Sequence, residues 1–144
     1  MTGVQTCALP IYEAAIKRLA NEVDAAYNDG DPARMAGYWT ENGININPFG
    51  DRFEGRANIE ADLREGLNGF MKGSQHKLTI SHFSSLNEQT AVADGTVTIT
   101  DITGFDGNTM GPLTSNFSMI CTRDHDGDWR IAQMRAYRYI TKQG

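Results

Sequence analysis

The chain has 144 residues and a mass of 15.9 kDa, the size of one domain with no room for a second catalytic one. Hydrophobic residues make up 40% and charged residues 22%, a globular rather than a disordered composition. The formal charge of -5 argues against a phosphate-backbone binder, and no apolar run reaches the roughly 18 residues that cross a bilayer, so neither nucleic acid nor a membrane is an expected partner.

Residues 2–11 read TGVQTCALPI, with no charge and neither a helical nor a strand period. The run lacks the basic start and longer apolar core of a secretory signal. It resembles translated sequencing-adapter read-through, so residues 1–11 are expected to be a foreign segment or a floppy arm, and residues 12–144 one domain. Cys7 then carries no function. Cys121, in the strand-like run FSMICT, reads as a small core residue. No CxxC or Cys/His cluster is present, so a structural zinc site is not expected. The expected compartment is the cytoplasm, with a native signal upstream of Tyr12 left open.

From Tyr12 to Asn28, Ile16, Leu19, Ala20, Val23, Ala26 and Tyr27 recur in steps of three and four, the apolar face of a helix. Asn28-Asp29-Gly30 ends it, and Asp31-Pro32 opens a short second helix expected to reach Trp39. Ile44–Asn47 alternates as a strand, Pro48 and Gly50-Asp51 turn, and Arg52-Phe53-Glu54 returns. A third helix is predicted over 56–71, with Ile59, Leu63, Leu67 and Phe70 on one stripe. The period then switches to two. Strands are predicted over 76–86, 90–102, 113–123 and 129–140, with turns at Asn87-Glu88-Gln89, Gly104–Gly111 and Asp124–Asp128. Helices followed by hairpin-linked strands indicate an α+β domain with an antiparallel sheet. The Asp124–Asp128 loop lacks the later bidentate Glu of a calcium loop and reads as a polar turn. No glycine-rich strand-to-helix loop marks a nucleotide site.

This order resembles the nuclear transport factor 2-like superfamily, the cone-shaped α+β fold of ketosteroid isomerases and SnoaL-like polyketide cyclases. Tyr27-Asn28-Asp29-Gly30-Asp31, Tyr38–Gly43, Phe53-Glu54-Gly55-Arg56 and Asp126–Ile131 carry the resemblance, over about residues 12 to 140. It is nearest the SnoaL-like group that includes the SgcJ/EcaC-like proteins, often of unassigned function. The resemblance implies three helices packed on a curved, mostly antiparallel sheet enclosing an apolar pocket, and a homodimer through the outer sheet face. The chemistry of two relatives does not transfer. Where ketosteroid isomerases place a basic Asp before Pro, this chain has Asn47-Pro48, and an amide cannot take a carbon-bound proton; their oxyanion-hole Tyr falls on Val23. The Arg and Asp of the epoxide hydrolase pattern fall on Thr96-Val97-Thr98, and its second Asp near Arg135-Ala136.

Strand alternation selects the polar lining. Gln133 and Arg135 share parity with Trp129 and Ile131, Ser115 with Phe117 and Met119, Asp101 with Val97 and Ile99, and His82 with Leu78 and Ile80; the isomerase register turns Asn47 inward. Each has a structural alternative: Arg135 in an ion pair with Asp101 or Glu54, Asp101 as a strand-end cap, His82 as a satisfied structural histidine, Asn47 and Gln133 as buried hydrogen-bonding amides. Tyr38 and Trp39 are core aromatics that would also border a ligand. The expected function is a cofactor-independent isomerase, cyclase or lyase acting on a small, mostly apolar carbonyl or aromatic compound. Asp101 would be the base, Arg135 and Gln133 would stabilise an oxyanion, and Asn47, His82 and Ser115 would bind substrate. The alternative is a non-catalytic binding or dimeric association module of the same fold.

Overall fold

The computed structural model describes residues 3–104 and 106–142, with side chains from Tyr12 onward. The elements run α1 (Gly3–Asn28), α2 (Pro32–Ala36), β1 (Trp39–Ile46), β2 (Arg52–Glu54), α3 (Arg56–Asn68), β3 (Gln75–Asn87), β4 (Thr90–Thr100), β5 (Ile102–Thr103), β6 (Thr109–Met110), β7 (Leu113–Arg123) and β8 (Trp129–Tyr137). Three helices lie on one six-stranded sheet of order β2-β1-β8-β7-β4-β3, and β5 and β6 form a separate small hairpin. Every pairing in the large sheet is antiparallel except β1 with β8. This is the α+β architecture expected from the periodicity.

Local chemistry explains most boundaries. Asp31 accepts a hydrogen bond from the Arg34 backbone N–H at 3.1 Å, and Pro32 opens α2, the arrangement that satisfies orphan donors of a first turn. The α1 helix begins at Gly3 rather than Tyr12. Helix α2 stops at Ala36, so Trp39 opens β1 instead of closing a helix. Its indole Nε1 donates to the Ile44 carbonyl at 3.3 Å, and its ring lies over Gly43, where a Cβ would sit 2.9 Å from Trp39 Cδ1. The Arg56 guanidinium binds the Trp39 carbonyl from Nε (3.1 Å) and Nη2 (2.7 Å), tying α3 to this irregular stretch of β1. Strand β4 ends at Thr100, because Asp101 adopts φ 59°, a left-handed conformation that ends a strand.

The core lies between the helices and one face of the sheet. Ile16, Leu19, Val23 and Ala26 of α1, Met35 and Ala36 of α2, and Ile59 and Leu67 of α3 meet Trp39, Leu78, Ala91, Ala93, Phe117, Met119, Cys121, Ile131 and Met134. Two β-bulges shape this face. In β3, Ile80 pairs with Gly95 and His82 with Asp94, leaving Ser81 as the extra residue. In β8, Ile131 pairs with Cys121 and Gln133 with Ile120, leaving Ala132 extra. A bulge reverses the inward parity of everything beyond it. No described helix is long and apolar enough to cross a membrane.

Candidate functional site

The bulges relocate most of the polar lining expected from alternation. Beyond Ser81 the inward residue of β3 is Phe83, opposite buried Ala93, and His82 stands exposed on the outer face opposite Asp94. Beyond Ala132 the inward residue of β8 is Met134, and Gln133 and Arg135 lie on the outer face. There Arg135 Nη2 donates to Gln133 Oε1 at 3.2 Å. The inward placement expected for His82, Gln133 and Arg135 is therefore corrected. Asp101 is exposed just beyond β4 and forms no ion pair with Arg135 among the described residues. Asn47 shapes the β1–β2 turn: its Oδ1 accepts from the backbone N–H of Phe49 and of Asp51, each at 3.0 Å, and its Nδ2 donates to Asp51 at 3.2 Å. Its side chain holds a turn rather than a ligand. Trp39 is 1% exposed, a core residue. Tyr38 borders a groove of about 360 Å³ with Arg18, Glu22, Asp128, Trp129 and Arg130, beside the β7–β8 turn and far along β1 from Asn47.

Ser115 does face inward, opposite Val97, and is 7% exposed. It shares this face with polar groups that alternation left unclaimed. His76 has the parity of Leu78 and pairs with Ile99. Its Nδ1 lies 2.8 Å from Asp24 Oδ1 of α1, and the Leu78 backbone N–H donates to both Asp24 oxygens at 3.1 and 3.0 Å. The His76 ring stacks on Tyr27 with centroids 4.7 Å apart. The Tyr27 hydroxyl and Ser74 Oγ are 2.8 Å apart, and Ser74 donates to the Met71 carbonyl at 2.6 Å. Asn28 clamps the same strand, accepting from the His76 N–H at 2.7 Å and donating to its carbonyl at 3.3 Å. Burial pushes the Tyr27 phenol above its ordinary value, partly offset by the Ser74 hydrogen bond.

The Asp24–His76 contact fixes the chemistry of the ring. With Nδ1–H donated to a carboxylate, the neutral imidazole keeps its lone pair at Nε2. Nε2, the Ser115 hydroxyl and the Asn45 amide make no hydrogen bond among the described residues. No fully buried described polar atom lacks a partner, so all three are open to solvent. Asn45 is on the inner face of β1, paired with Phe53 of β2 and Met134 of β8. His76 and Ser115 lie two strands apart at the same end of this face, while Asn45 lies four strands from His76 and nearer the other end, so a base and a hydroxyl are the groups that share one stretch of wall. Two signals for it stand in the sequence: His76 is in phase with Leu78, and Asp24 interrupts the apolar stripe of α1 between Val23 and Tyr27. The buried Cys121 thiol, pushed up to about 12 by burial, is no nucleophile.

The other cluster with ligand chemistry is a turn. Asp124, Asp126 and Asp128 bring carboxylate oxygens within 4.8 Å of one another, all exposed. Asp124 Oδ1 accepts from the backbone N–H of Asp126 and of Asp128 at 3.0 Å, and Arg130 occupies Oδ2, so the loop's own structure engages the central carboxylate.

The comparisons with known proteins agree with this architecture. No curated protein matches the chain. Among solved structures, a candidate scytalone dehydratase from Novosphingobium aromaticivorans superposes with a TM-score of 0.82 at 18% identity, over 95% of this chain and 90% of that one. An NTF-2-like protein of unknown function from Shewanella oneidensis MR-1 gives 0.72 at 17% identity, over 87% and 98%. A candidate calcium/calmodulin-dependent protein kinase II association domain from Xanthomonas campestris gives 0.74 at 19% identity, over 88% and 87%. These identities carry the fold alone. The SnoaL-like domain family model matches residues 12–135, most of the chain, and with the helices and sheet described above it makes this protein a member of the SnoaL-like family with the nuclear transport factor 2-like fold.

Proposed function

We propose that the protein is a cofactor-independent acid–base enzyme acting on a small, mostly apolar carbonyl or aromatic compound, with His76 as its base. The observation that carries the reading is the Asp24–His76 pair at 2.8 Å, set in an apolar wall with Nε2 unpartnered. In this reading His76 Nε2 removes a proton from the carbon next to a carbonyl. The C–H electron pair moves into the carbon skeleton and the carbonyl π pair onto oxygen. Asp24 holds the tautomer and stabilises the imidazolium. The Ser115 hydroxyl supplies a donor for the enolate oxygen, and the proton returns from His76 to a different carbon or to the same one. The base assigned to Asp101 from alternation passes to His76, and the oxyanion donor role assigned to Arg135 and Gln133 passes to Ser115.

The test is α-proton exchange of 1-tetralone and related aryl ketones in D2O, followed by proton NMR. Protein-dependent exchange is expected, falling about 10²- to 10⁴-fold in His76→Gln, the usual range for a general base. Exchange at the buffer rate across the panel, or exchange that survives His76→Gln, refutes it.

A second reading, association through the outer sheet face, has its own observation. Ile44, Val92 and Ile120 are half-buried there on three strands, Val92 and Ile120 directly paired, with no helix over them. The candidate association domain among the fold neighbours is consistent with it. A homodimer by analytical ultracentrifugation that Ile120→Arg converts to monomer would support this reading, and a wild-type monomer would remove it.

A further inference from the structure

Among the described residues the exposed large apolar side chains are Phe49, Phe70, Leu86, Met110, Tyr139 and Ile140. All but Leu86 lie at one end of the sheet. The register places the end of β1 beside the end of β8 (Ile46 with Arg135), the end of β8 beside the start of β7 (Asn116 with Tyr137), the start of β7 beside the end of β4 (Leu113 with Ile99), and that beside the start of β3 (Thr100 with Gln75). Phe49 sits in the β1–β2 turn, Phe70 between α3 and β3, Met110 on the β5–β6 hairpin, and Tyr139 and Ile140 just beyond β8. Apolar side chains gathered on separate loops around one end, rather than scattered, mark a place that meets an apolar partner.

A groove of about 440 Å³ opens at this end, between the C-terminus of α3 and the β5–β6 hairpin, lined by Gly69, Phe70, Lys72, Thr103 and Gly104. Lys72 is the charged residue in that lining and has no ion-pair or hydrogen-bond partner for its ammonium among the described residues. Gly69 and Gly104 add no side chains of their own, and the Met110 and Asp106 side chains lie against Gly104, where a Cβ would come within 3.4 Å of Met110 Cγ and 3.2 Å of Asp106 Oδ1. The groove adjoins the catalytic end. Lys72 leads directly into Ser74 and His76, and Thr103 follows closely on Ile99, the cross-strand partner of His76.

We infer that this groove is the port of the site, and that it takes an aromatic or acyl carboxylate, its apolar body along Phe70 and its carboxylate at the Lys72 ammonium. The inference rests on the enzyme reading above for the site the port serves, and it adds an anionic group to the substrate class. A cation at the rim of an apolar groove is the arrangement that orients an amphiphile, because the carboxylate stays hydrated beside a positive charge while the ring leaves water.

Titration calorimetry on the full chain tests it with 2-naphthoate and its neutral counterpart 2-acetylnaphthalene. Lys72→Gln should weaken naphthoate up to about fivefold, as expected for one exposed ion pair, and leave the ketone unchanged. Phe70→Ser should weaken both about tenfold. Leu86→Ser, at the opposite end, should change neither. Lys72 and Leu86 are exposed, and circular dichroism with thermal melting checks that Phe70→Ser keeps the fold before its binding is read. Failure of the wild type to bind naphthoate overturns the inference, as does an equal loss of both ligands on Lys72→Gln, or no loss on Phe70→Ser. Failure here with α-proton exchange still lost in His76→Gln removes the port and keeps the chemistry; the reverse pattern keeps the port and removes the base.

Discussion

Replacing Gly95 by alanine tests the bulge that turns His82 outward. A Cβ built on Gly95 falls 1.8 Å from the Thr79 carbonyl oxygen, 2.8 Å from the Thr79 carbonyl carbon and 3.0 Å from Ile80 Cα. All three are backbone atoms of the neighbouring strand, so no side chain can swing aside. Overpacking a core commonly costs about 1–3 kcal/mol, and contact with paired backbone belongs at the top of that range, about 3 kcal/mol. For a domain of this length that corresponds to a fall of about 10 °C in melting temperature. Urea unfolding followed by circular dichroism measures the free energy, and calorimetry the temperature. Alanine at Val92, whose side chain is on the other face, is the control and should cost about 1 kcal/mol. If Gly95→Ala loses less than about 1 kcal/mol, the close approach of β3 to Gly95 is wrong, and with it the account of where His82 points.

Three further outcomes follow from the buried polar cluster and the core thiol. Asp24→Asn should cost about 1–3 kcal/mol, because the amide loses the charge-assisted bond from His76 Nδ1–H and sets an NH2 donor against the Leu78 N–H, which approaches both Asp24 oxygens; chemical denaturation measures it, and a loss under about 0.5 kcal/mol would contradict the burial. Tyr27 has a raised pKa in the folded state, so the folded chain holds that proton at a pH where the unfolded chain releases it. Its contribution is complete below about pH 10 and is lost as pH rises through the folded value. Tyr27→Phe should flatten the alkaline limb of a stability–pH curve at a cost of about 1 kcal/mol for the Ser74 hydrogen bond, and an unchanged limb would refute the assignment. Cys121, with its thiol near 12, should resist iodoacetamide at pH 8 in the native protein and react once urea unfolds it, as peptide mapping would read directly.

How far the molecule was legible depended on whether a strand kept its phase. Strand β7 has no bulge between Leu113 and Ile120, so simple alternation put Ser115, Phe117 and Met119 on the inner face. Alternation failed for His82, Gln133 and Arg135 because Ser81 and Ala132 each insert one residue, and neither position is marked by a glycine or proline of its own. The mark for the first bulge lies on the partner strand, at Gly95, where a chain read one strand at a time does not look. Trp39 misled for another reason: helix propensity extends α2 toward it, while its packing over Gly43 and the Arg56 bonds to its carbonyl favour a strand. Asp24 and His76 lie far apart in sequence, and only the docking of α1 on the start of β3 joins them. An acidic residue inside an apolar helical stripe was the visible clue to a buried partner.

The parallel pairing of β1 with β8 also sets an order on assembly. The last strand lies in the interior of the sheet, between the first strand and β7, so until residues 129–137 emerge the sheet exists only as two separate pieces, β2-β1 and β7-β4-β3. Trp39 has no Ile131 to pair with during most of synthesis. The nascent chain therefore carries an uncovered half-core until residues 129–137 leave the ribosome, and contacts of such long sequence separation close slowly. A premature stop before β8 would not yield a trimmed domain. It would yield two facing strand edges with nothing between them, the kind of surface that recruits other chains.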